Sequence, residues 1–241
     1  MCGRFALTQT PEHVRAWFAY RDQPNFPPRY NIAPTQPVAV VTLDQGERRF
    51  VLMRWGFIPG FVKDPKEYPL VINVRSETAR EKASFRAAFL RRRCLMPADG
   101  FYEWQAAGRV KRPFLIRRPD RAVFAFAAIH ETWSSPDGSE IDTVAIMTTH
   151  ANGTLAAVHE RSPVMLLSQE AVARWLDPAL PLDEAEAMLR PPAEAALELI
   201  PVGTGVNSVA NDDPSLQQRV EAAPLPPEKS RKADDGQGSL F

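Results

Sequence analysis

The chain of 241 residues is long enough for one large domain, or two small ones, with a sizeable hydrophobic core. A hydrophobic fraction of 44% and a charged fraction of 24% are typical of a globular protein, and no apolar run is long enough for a membrane-spanning helix. The N-terminus lacks an apolar signal segment, which predicts a cytoplasmic protein. The two cysteines, Cys2 and Cys94, are too few for a disulfide framework and lack metal-ligand spacing, so we expect free thiols and no metal site.

The net charge is zero, but the two halves of the chain differ strongly. Residues 1–121 contain 22 Lys and Arg against 11 Asp and Glu, whereas residues 122–241 contain 7 against 18. This asymmetry predicts a one-sided positive field that would attract a polyanion. The alternative is that the opposite charges interleave on folding and leave a neutral surface, and the sequence leaves both interpretations open.

The first predicted element is an amphipathic helix over Pro11–Tyr20, with Thr10 as N-cap and Pro11 at the first helical position. The proline-rich residues 23–37 predict a loop that is neither a helix nor a central strand. Later apolar and polar spacing predicts helices over Glu77–Arg92, Gln169–Leu176 and Leu182–Leu189. Strands are predicted at Val38–Leu43, Phe50–Arg54, Leu70–Val74, Arg93–Met96, Phe101–Gln105, Arg112–Ile116, Val123–His130, Thr143–Thr148 and Val164–Leu167.

These elements predict an α+β fold, in which a mixed or antiparallel β core with flanking helices forms a single strand-rich domain over residues 1–221. From Ala222 the sequence is polar, rich in proline and without core residues. Residues 222–241 are therefore predicted to be a disordered tail.

Cys2 is the first candidate for chemistry. Removal of Met1 would leave Cys2 with a free α-amine beside its thiol, and both groups ionise close enough to neutral pH to act as nucleophiles. An aldehyde can form an imine with the amine, and the thiolate can then close a thiazolidine ring. The alternative interpretation is a small buried cysteine near the terminus.

Several polar residues stand within otherwise apolar segments. Asn73, Arg75 and Glu77 alternate at the end of a predicted strand and therefore share one face. Glu103 lies between aromatic residues, where partial desolvation would raise its pKa into a range useful for proton transfer. His159 follows in a later loop. Taken singly, a glutamate or histidine of this kind is better explained as a structural ion-pairing or hydrogen-bonding group.

Taken together, the segments resemble the SRAP (SOS-response-associated-peptidase) family. Eight motifs occur in order from Met1 to about Pro214: MCGRF, RYNIAPTQ, RWGFIP, NVRSET, RCLMPADGFYEW, MTTHAN, HERSPVML and VNSVANDDP. Any one of them alone would be weak evidence, whereas eight in order are specific.

The resemblance implies a DNA-repair protein that senses abasic sites in single-stranded DNA and forms a covalent crosslink through its N-terminal cysteine. On this chain it implies that Cys2 is the crosslinking nucleophile and that Asn73, Glu103 and His159 complete the active site. It also implies DNA contacts, for which the candidates are Arg4, Arg75, Trp55, Phe57, Pro34 and Thr149. For Trp55 the alternative is a core aromatic residue. The chemistry needs no cofactor, and a monomer suffices for it.

Two other functions remain open at this stage. Class II glutamine amidotransferases also begin with Met-Cys-Gly, so an N-terminal-cysteine hydrolase, either a peptidase or an amidotransferase, is one alternative. A non-covalent reader of single-stranded or modified DNA is the other. The last five residues resemble the peptide that binds the bacterial sliding clamp, which predicts clamp contacts through Gln237, Leu240 and Phe241.

Overall fold

The computed structural model describes residues 2–107 and 110–221 and confirms the strand-rich α+β fold. The predicted tail, with Gln237, Leu240 and Phe241, lies outside the described residues, as does Met1. The helices of the described residues are α1 (Pro11–Phe18), α2 (Ser76–Ala79), α3 (Ala83–Arg91), α4 (Gly153–Ala156), α5 (Gln169–Leu176) and α6 (Leu182–Ala187). The strands are β1 (Phe5–Leu7), β2 (Arg29–Ile32), β3 (Pro37–Asp44), β4 (Glu47–Trp55), β5 (Asn73–Arg75), β6 (Arg93–Ala98), β7 (Gly100–Ala107), β8 (Val110–Arg117), β9 (Phe124–Ser134), β10 (Glu140–His150), β11 (Arg161–Pro163), β12 (Met165–Leu166) and β13 (Glu198–Pro201).

The larger sheet closes on itself. Its strands pair in the order β10-β4-β3-β6-β9, and β9 pairs again with β10. The β10–β4 pairing is parallel and the other pairings of this ring are antiparallel. β10 extends beyond the ring and pairs there with β5, which begins at Asn73, and with β11, which follows His159. The two segments therefore flank the same strand.

The smaller sheet has the order β13-β8-β7-β1-β2 and is antiparallel throughout. It packs on the closed sheet through aromatic side chains, because the Phe5 ring lies edge-on against Trp55 at 5.2 Å and against Phe126 at 5.7 Å. This packing holds β1, and with it the N-terminal residues, against the closed sheet.

Two polar side chains fasten the N-terminal sheet to the last part of the domain. The buried Asn31 amide donates to the carbonyls of Val206, Ser208 and Asn211, and its Oδ1 accepts from Arg4. The Asp212 carboxylate accepts from the backbone N–H groups of residues 30 and 31. The buried Asn31 amide would cost about 1–3 kcal/mol if left without its partners, so the RYN and VNSVANDD motifs hold the two ends of the domain together.

The helix predicted at Pro11 is confirmed, with the Thr10 side chain accepting from the His13 N–H at 3.3 Å. It ends at Phe18 because Ala19 adopts a left-handed conformation. The single helix predicted over Glu77–Arg92 is wrong. The segment is split into α2, which buries Ala79, and α3, which buries Phe85, Ala88 and Phe89. One continuous helix would place Ala88 on the side opposite Ala79, so it could not bury both residues against the same core.

Residues 23–37 were expected to be a loop, yet they contain β2. That strand lies at the edge of its sheet, where proline-flanked segments are tolerated. The strand predicted at Leu70–Val74 begins later, at Asn73, after an isolated bridge between Val71 and Phe57. No helix among the described residues has the length and hydrophobicity needed to cross a membrane.

Candidate active site

Cys2 lies inside the protein rather than on its surface. Its side chain is 0% exposed, and the thiol lies 3.9 Å from the Arg4 carbonyl oxygen. The backbone of Arg4 is held by the Tyr102 N–H at 2.9 Å, which continues the antiparallel β1–β7 pairing and brings residues 2 and 3 alongside Glu103. Burial raises the pKa of the Cys2 thiol, and the nearby Glu103 carboxylate raises it further. The thiol therefore needs a base before it can attack.

Asn73 contacts the same N-terminal segment from the other side. It is the first residue of β5, and its side-chain amide donates to the Cys2 carbonyl oxygen at 2.9 Å. The other amide atom, Oδ1, is buried and accepts no hydrogen bond from the described residues. Asn73 therefore fixes the main chain of Cys2 and keeps a buried acceptor available beside it.

Glu103 lies on β7 with its carboxyl buried. Burial raises its pKa above the ordinary range, and the neighbouring His159 acts in the opposite direction. The two flanking aromatic residues point to the opposite face of β7, where Tyr102 and Trp104 belong to a separate apolar cluster. Glu103 is thus a carboxyl group that keeps its proton to higher pH than usual and lies close to Cys2.

His159 reaches the site from the segment between α4 and β11. Its Nδ1 atom accepts a hydrogen bond from the Arg161 N–H at 2.9 Å. The Gln105 side chain, on the same strand as Glu103, donates to the Ala157 carbonyl at 3.1 Å and ties this segment to β7. The four predicted active-site residues therefore converge from four separate segments.

An open pocket of about 420 Å³ adjoins these residues. Its wall consists of Arg4, Glu103, Trp104, Lys111, His159 and Asn207. The Trp104 indole N–H donates to Asn207 Oδ1 at 2.7 Å, and the Arg4 guanidinium lies 5.9 Å from the Trp104 ring centroid. The pocket thus combines a carboxyl, an imidazole, two cationic side chains and one aromatic face.

Trp104, Lys111 and Asn207 were not among the predicted site residues. Trp104 and Asn207 belong to the GFYEW and VNSVANDDP motifs, but no sequence pattern indicates that two residues about a hundred positions apart form a hydrogen bond. Lys111 carried no signal beyond its membership of the basic half, because its place in the wall depends on the β7–β8 register, in which it faces Ala106.

The predicted DNA contacts fall into two groups. Arg4 lines the pocket, although one of its nitrogens already donates to Asn31 Oδ1 and to the Val206 carbonyl, both at 2.7 Å. Arg75 is exposed where β5 passes into α2, and Pro34 is half-buried. Thr149 is buried on β10.

Trp55 and Phe57 do not present their rings to DNA in this structure. They are 0% and 1% exposed, and the Trp55 indole N–H donates to the Ile72 carbonyl inside the core. The expectation of base stacking is therefore corrected in favour of the core interpretation. By contrast, Phe61 in the following loop is 65% exposed.

The charge asymmetry is partly cancelled by folding. Basic side chains of the first half pair with acidic ones of the second half in the pairs Arg29–Asp212, Arg80–Asp183, Arg80–Glu186, Arg92–Glu131 and Arg117–Glu198. Interleaving thus accounts for part of the asymmetry. Arg4 and Lys111 nevertheless place positive charge in the wall of the pocket.

Comparison with known proteins identifies the family. Residues 1–209 match the family model described as SOS response associated peptidase (SRAP). The chain belongs to the SRAP family. Among its SRAP relatives, the Bacillus subtilis abasic site processing protein YoqW is 35% identical over 221 residues, which are 90% of this chain and 98% of that protein.

Other organisms contain similar SRAP proteins. The Escherichia coli abasic site processing protein YedK is 34% identical, with 91% of this chain and 100% of the relative covered. The chicken abasic site processing protein HMCES is 33% identical, and the match covers 92% of this chain and 78% of HMCES. A crystal structure of a Bacteroides thetaiotaomicron protein superposes with a TM-score of 0.83 at 24% identity, covers 91% of this chain and all of that one, and supports the fold.

Proposed function

We propose that this SRAP protein recognises abasic sites in single-stranded DNA and captures them as a covalent thiazolidine crosslink through Cys2. The observation that carries the proposal is the convergence of Cys2, Asn73, Glu103 and His159 beside one pocket with a cationic wall. The names of the relatives supply the lesion, because YoqW, YedK and HMCES are each called abasic site processing proteins. The crosslink would shield the lesion from strand cleavage.

The proposed chemistry begins once Met1 has been removed. The ring-opened abasic sugar presents an aldehyde at C1′, and the Cys2 nitrogen adds to that carbon. The resulting carbinolamine loses its hydroxyl as water, with Glu103 supplying the proton, and a protonated imine forms. The Glu103 carboxylate then takes the proton of the Cys2 thiol, and the thiolate adds to the imine carbon. The nitrogen keeps its own hydrogen, so the thiazolidine forms without further loss of mass.

The raised pKa values of the Glu103 carboxyl and the Cys2 thiol indicate which of them gives a proton at each step. The buried Glu103 carboxyl holds a proton for the expelled water and becomes a carboxylate. That carboxylate is then the nearby base that the buried Cys2 thiol requires. An imine left uncaptured would undergo β-elimination and break the strand, so thiol addition decides between protection and cleavage.

The test is incubation with single-stranded DNA that contains one abasic site, followed by denaturing electrophoresis and intact-mass measurement. We expect an adduct equal to protein without Met1 plus DNA minus one water, with the modification at Cys2. Intact DNA-binding but no denaturation-resistant adduct would indicate the non-covalent reader instead. Release of ammonia from glutamine without an adduct would indicate the amidotransferase type of hydrolase.

The cationic wall of the pocket gives a separate prediction about affinity. Lys111→Gln is expected to weaken binding to unmodified single-stranded DNA and to lower the slope of log K against log salt by about 0.7, because one phosphate contact is lost. Fluorescence anisotropy across a salt series measures both quantities. Arg91→Gln is the matched control, since Arg91 lines a different cavity, and an equal effect of the two substitutions would contradict a role of this wall.

The predicted tail peptide extends the proposal to a partner. We propose that Gln237, Leu240 and Phe241 bind the bacterial sliding clamp and bring the protein to replication forks within the nucleoid. Deletion of Gln237–Phe241 is expected to abolish clamp pull-down while crosslinking of abasic DNA continues at the wild-type rate. Pull-down that survives the deletion would reject the clamp interaction.

A further inference from the structure

One hydrogen bond determines which nitrogen of His159 carries a hydrogen. The Nδ1 atom lies 2.9 Å from the backbone nitrogen of Arg161. A backbone N–H can only donate, so Nδ1 must be the acceptor and cannot itself carry a hydrogen. In the neutral imidazole the hydrogen is therefore on Nε2, which makes Nε2 the nitrogen through which His159 can donate.

The residue that gives this hydrogen bond is itself tightly held. The Arg161 side chain is buried and donates to both carboxylate oxygens of Glu77, at 2.7 and 3.0 Å. It also donates to the Thr148 carbonyl at 2.7 Å and to the Thr148 hydroxyl at 3.2 Å. A two-point guanidinium–carboxylate pair has a defined geometry, and this one fixes where the Arg161 main chain lies.

The pair crosses three neighbouring strands. Thr148 on β10 faces Arg75 of β5 on one side and Pro163 of β11 on the other. Glu77 lies on α2 immediately after β5, and Arg161 begins β11. The Glu77–Arg161 pair therefore ties the segment that carries Asn73 to the segment that carries His159.

The carboxylate in this pair remains charged. Burial acts to raise the pKa of Glu77, but the hydrogen bonds and charge of Arg161, the Glu77 backbone N–H and the charge of His150 together outweigh it, and the pKa lies below its ordinary value. The His150 imidazole also lies near Glu77, with its Nε2 atom 3.5 Å from Oε1. The Glu77 carboxylate is thus ionised and can hold the Arg161 guanidinium in place.

We infer that the Glu77–Arg161 pair is a positioning device that locks His159 in its Nε2–H tautomer, so that His159 presents an Nε2–H donor to the sugar while Glu103 moves the protons. The consequence for catalysis rests on the proposed function. Opening of the abasic sugar breaks the C1′–O4′ bond, forms the C1′ carbonyl and transfers one proton from the C1′ hydroxyl to O4′. The protonated Glu103 carboxyl gives its proton to O4′ and takes up the proton of the C1′ hydroxyl, so it is protonated again for the next step. The Nε2–H group of His159 donates to O4′ and stabilises the charge that develops there.

The tautomer can be measured without DNA. Protein labelled with ¹⁵N at histidine is studied by NMR at mildly alkaline pH, where imidazoles are neutral, and the signal of His159 is assigned by its loss in His159→Gln. We expect one tautomer, with a hydrogen-free Nδ1 and a protonated Nε2. Averaged shifts from the two nitrogens, or a protonated Nδ1, would overturn the inference.

The positioning role is tested with Glu77→Gln and Arg161→Lys, each checked for folding by its amide spectrum. We expect both variants to lose the single-tautomer pattern, with the larger change in Arg161→Lys, and to slow crosslinking by about ten-fold without weakening DNA affinity. Glu198→Gln is the matched control, because it removes a comparably buried ion pair with Arg117 elsewhere in the fold, and it is expected to leave His159 unchanged. If a folded Glu77→Gln or Arg161→Lys keeps the wild-type tautomer, the pair has no positioning role.

These outcomes are independent of the proposed function. A protein that forms no crosslink can still have His159 in a single tautomer. Conversely, a crosslinking protein can show averaged ¹⁵N shifts for the two ring nitrogens of His159. The first result would reject the proposed function alone, and the second would reject the inference alone.

Discussion

Cys2→Ala is expected to abolish the denaturation-resistant adduct with abasic single-stranded DNA, with a fall in yield of roughly 100-fold or more. The substitution removes the thiol but keeps the α-amine, so the imine still forms and has no sulfur to capture it. We therefore expect more strand cleavage than with wild type, and an adduct that appears only when borohydride is added to reduce the imine. Denaturing gels with and without borohydride, scored for both adduct and cleaved strand, measure these quantities.

Cys94→Ala is the matched control for this experiment. Cys94 is also a buried free thiol, and its pKa is likewise raised by burial, but it lies on β6 in the core rather than beside Glu103. Its removal is expected to leave the adduct yield unchanged. A stable adduct in normal yield from Cys2→Ala, or loss of the adduct in Cys94→Ala, would contradict the assignment of the nucleophile.

Glu103→Gln is expected to slow crosslinking by about 100-fold, because the amide keeps the volume of the buried side chain but can neither give nor take a proton. The pKa of Glu103 is raised by burial, so the carboxyl keeps its proton to higher pH than usual. The wild-type rate of imine formation should therefore fall as pH rises through that pKa, and this decline should be absent from the residual rate of the variant. Single-turnover rates across a pH series measure the effect.

Glu103→Gln is expected to slow the reaction but not to lower the stability of the fold. A carboxyl whose pKa is raised on folding destabilises the folded state once pH exceeds the unfolded value, since its charge is then buried. Neutral glutamine removes that cost, so we expect the midpoint of thermal unfolding of Glu103→Gln at neutral pH to equal or exceed that of wild type. Glu160→Gln, an exposed carboxylate beside His159, should change neither rate nor stability. A wild-type rate for Glu103→Gln would exclude the proton-transfer role.

The sequence predicted the architecture better than the boundaries of its elements. Strands with continuous apolar character, such as β6, β9 and β10, were found because burial dictates their composition. The short strands β1, β2 and β11 were missed, since three or four residues contain too little periodicity and their pairing partners lie far along the chain. The break between α2 and α3 was missed because helical composition continues through it.

The candidate site was predicted in its membership but not in its contacts. The motifs named Cys2, Asn73, Glu103 and His159, yet no pattern showed that Asn73 holds the Cys2 carbonyl. The solvent exposure of each side chain was the other quantity that could not be predicted from the sequence. An aromatic residue such as Trp55 has the same signature whether it stacks on a base or fills the core, and only packing against Phe5 distinguishes the two.

The attachment of Arg4 to Asn31 and to the Val206 carbonyl also bears on how the protein is made. During synthesis the first residues leave the ribosome long before β7 and the segment around Val206 exist to cover them. At about 5–20 residues per second, that delay is on the order of 10–40 s. In the proposed mechanism, this is the interval in which an aminopeptidase would remove Met1, before the segment around Val206 is made and encloses the terminus.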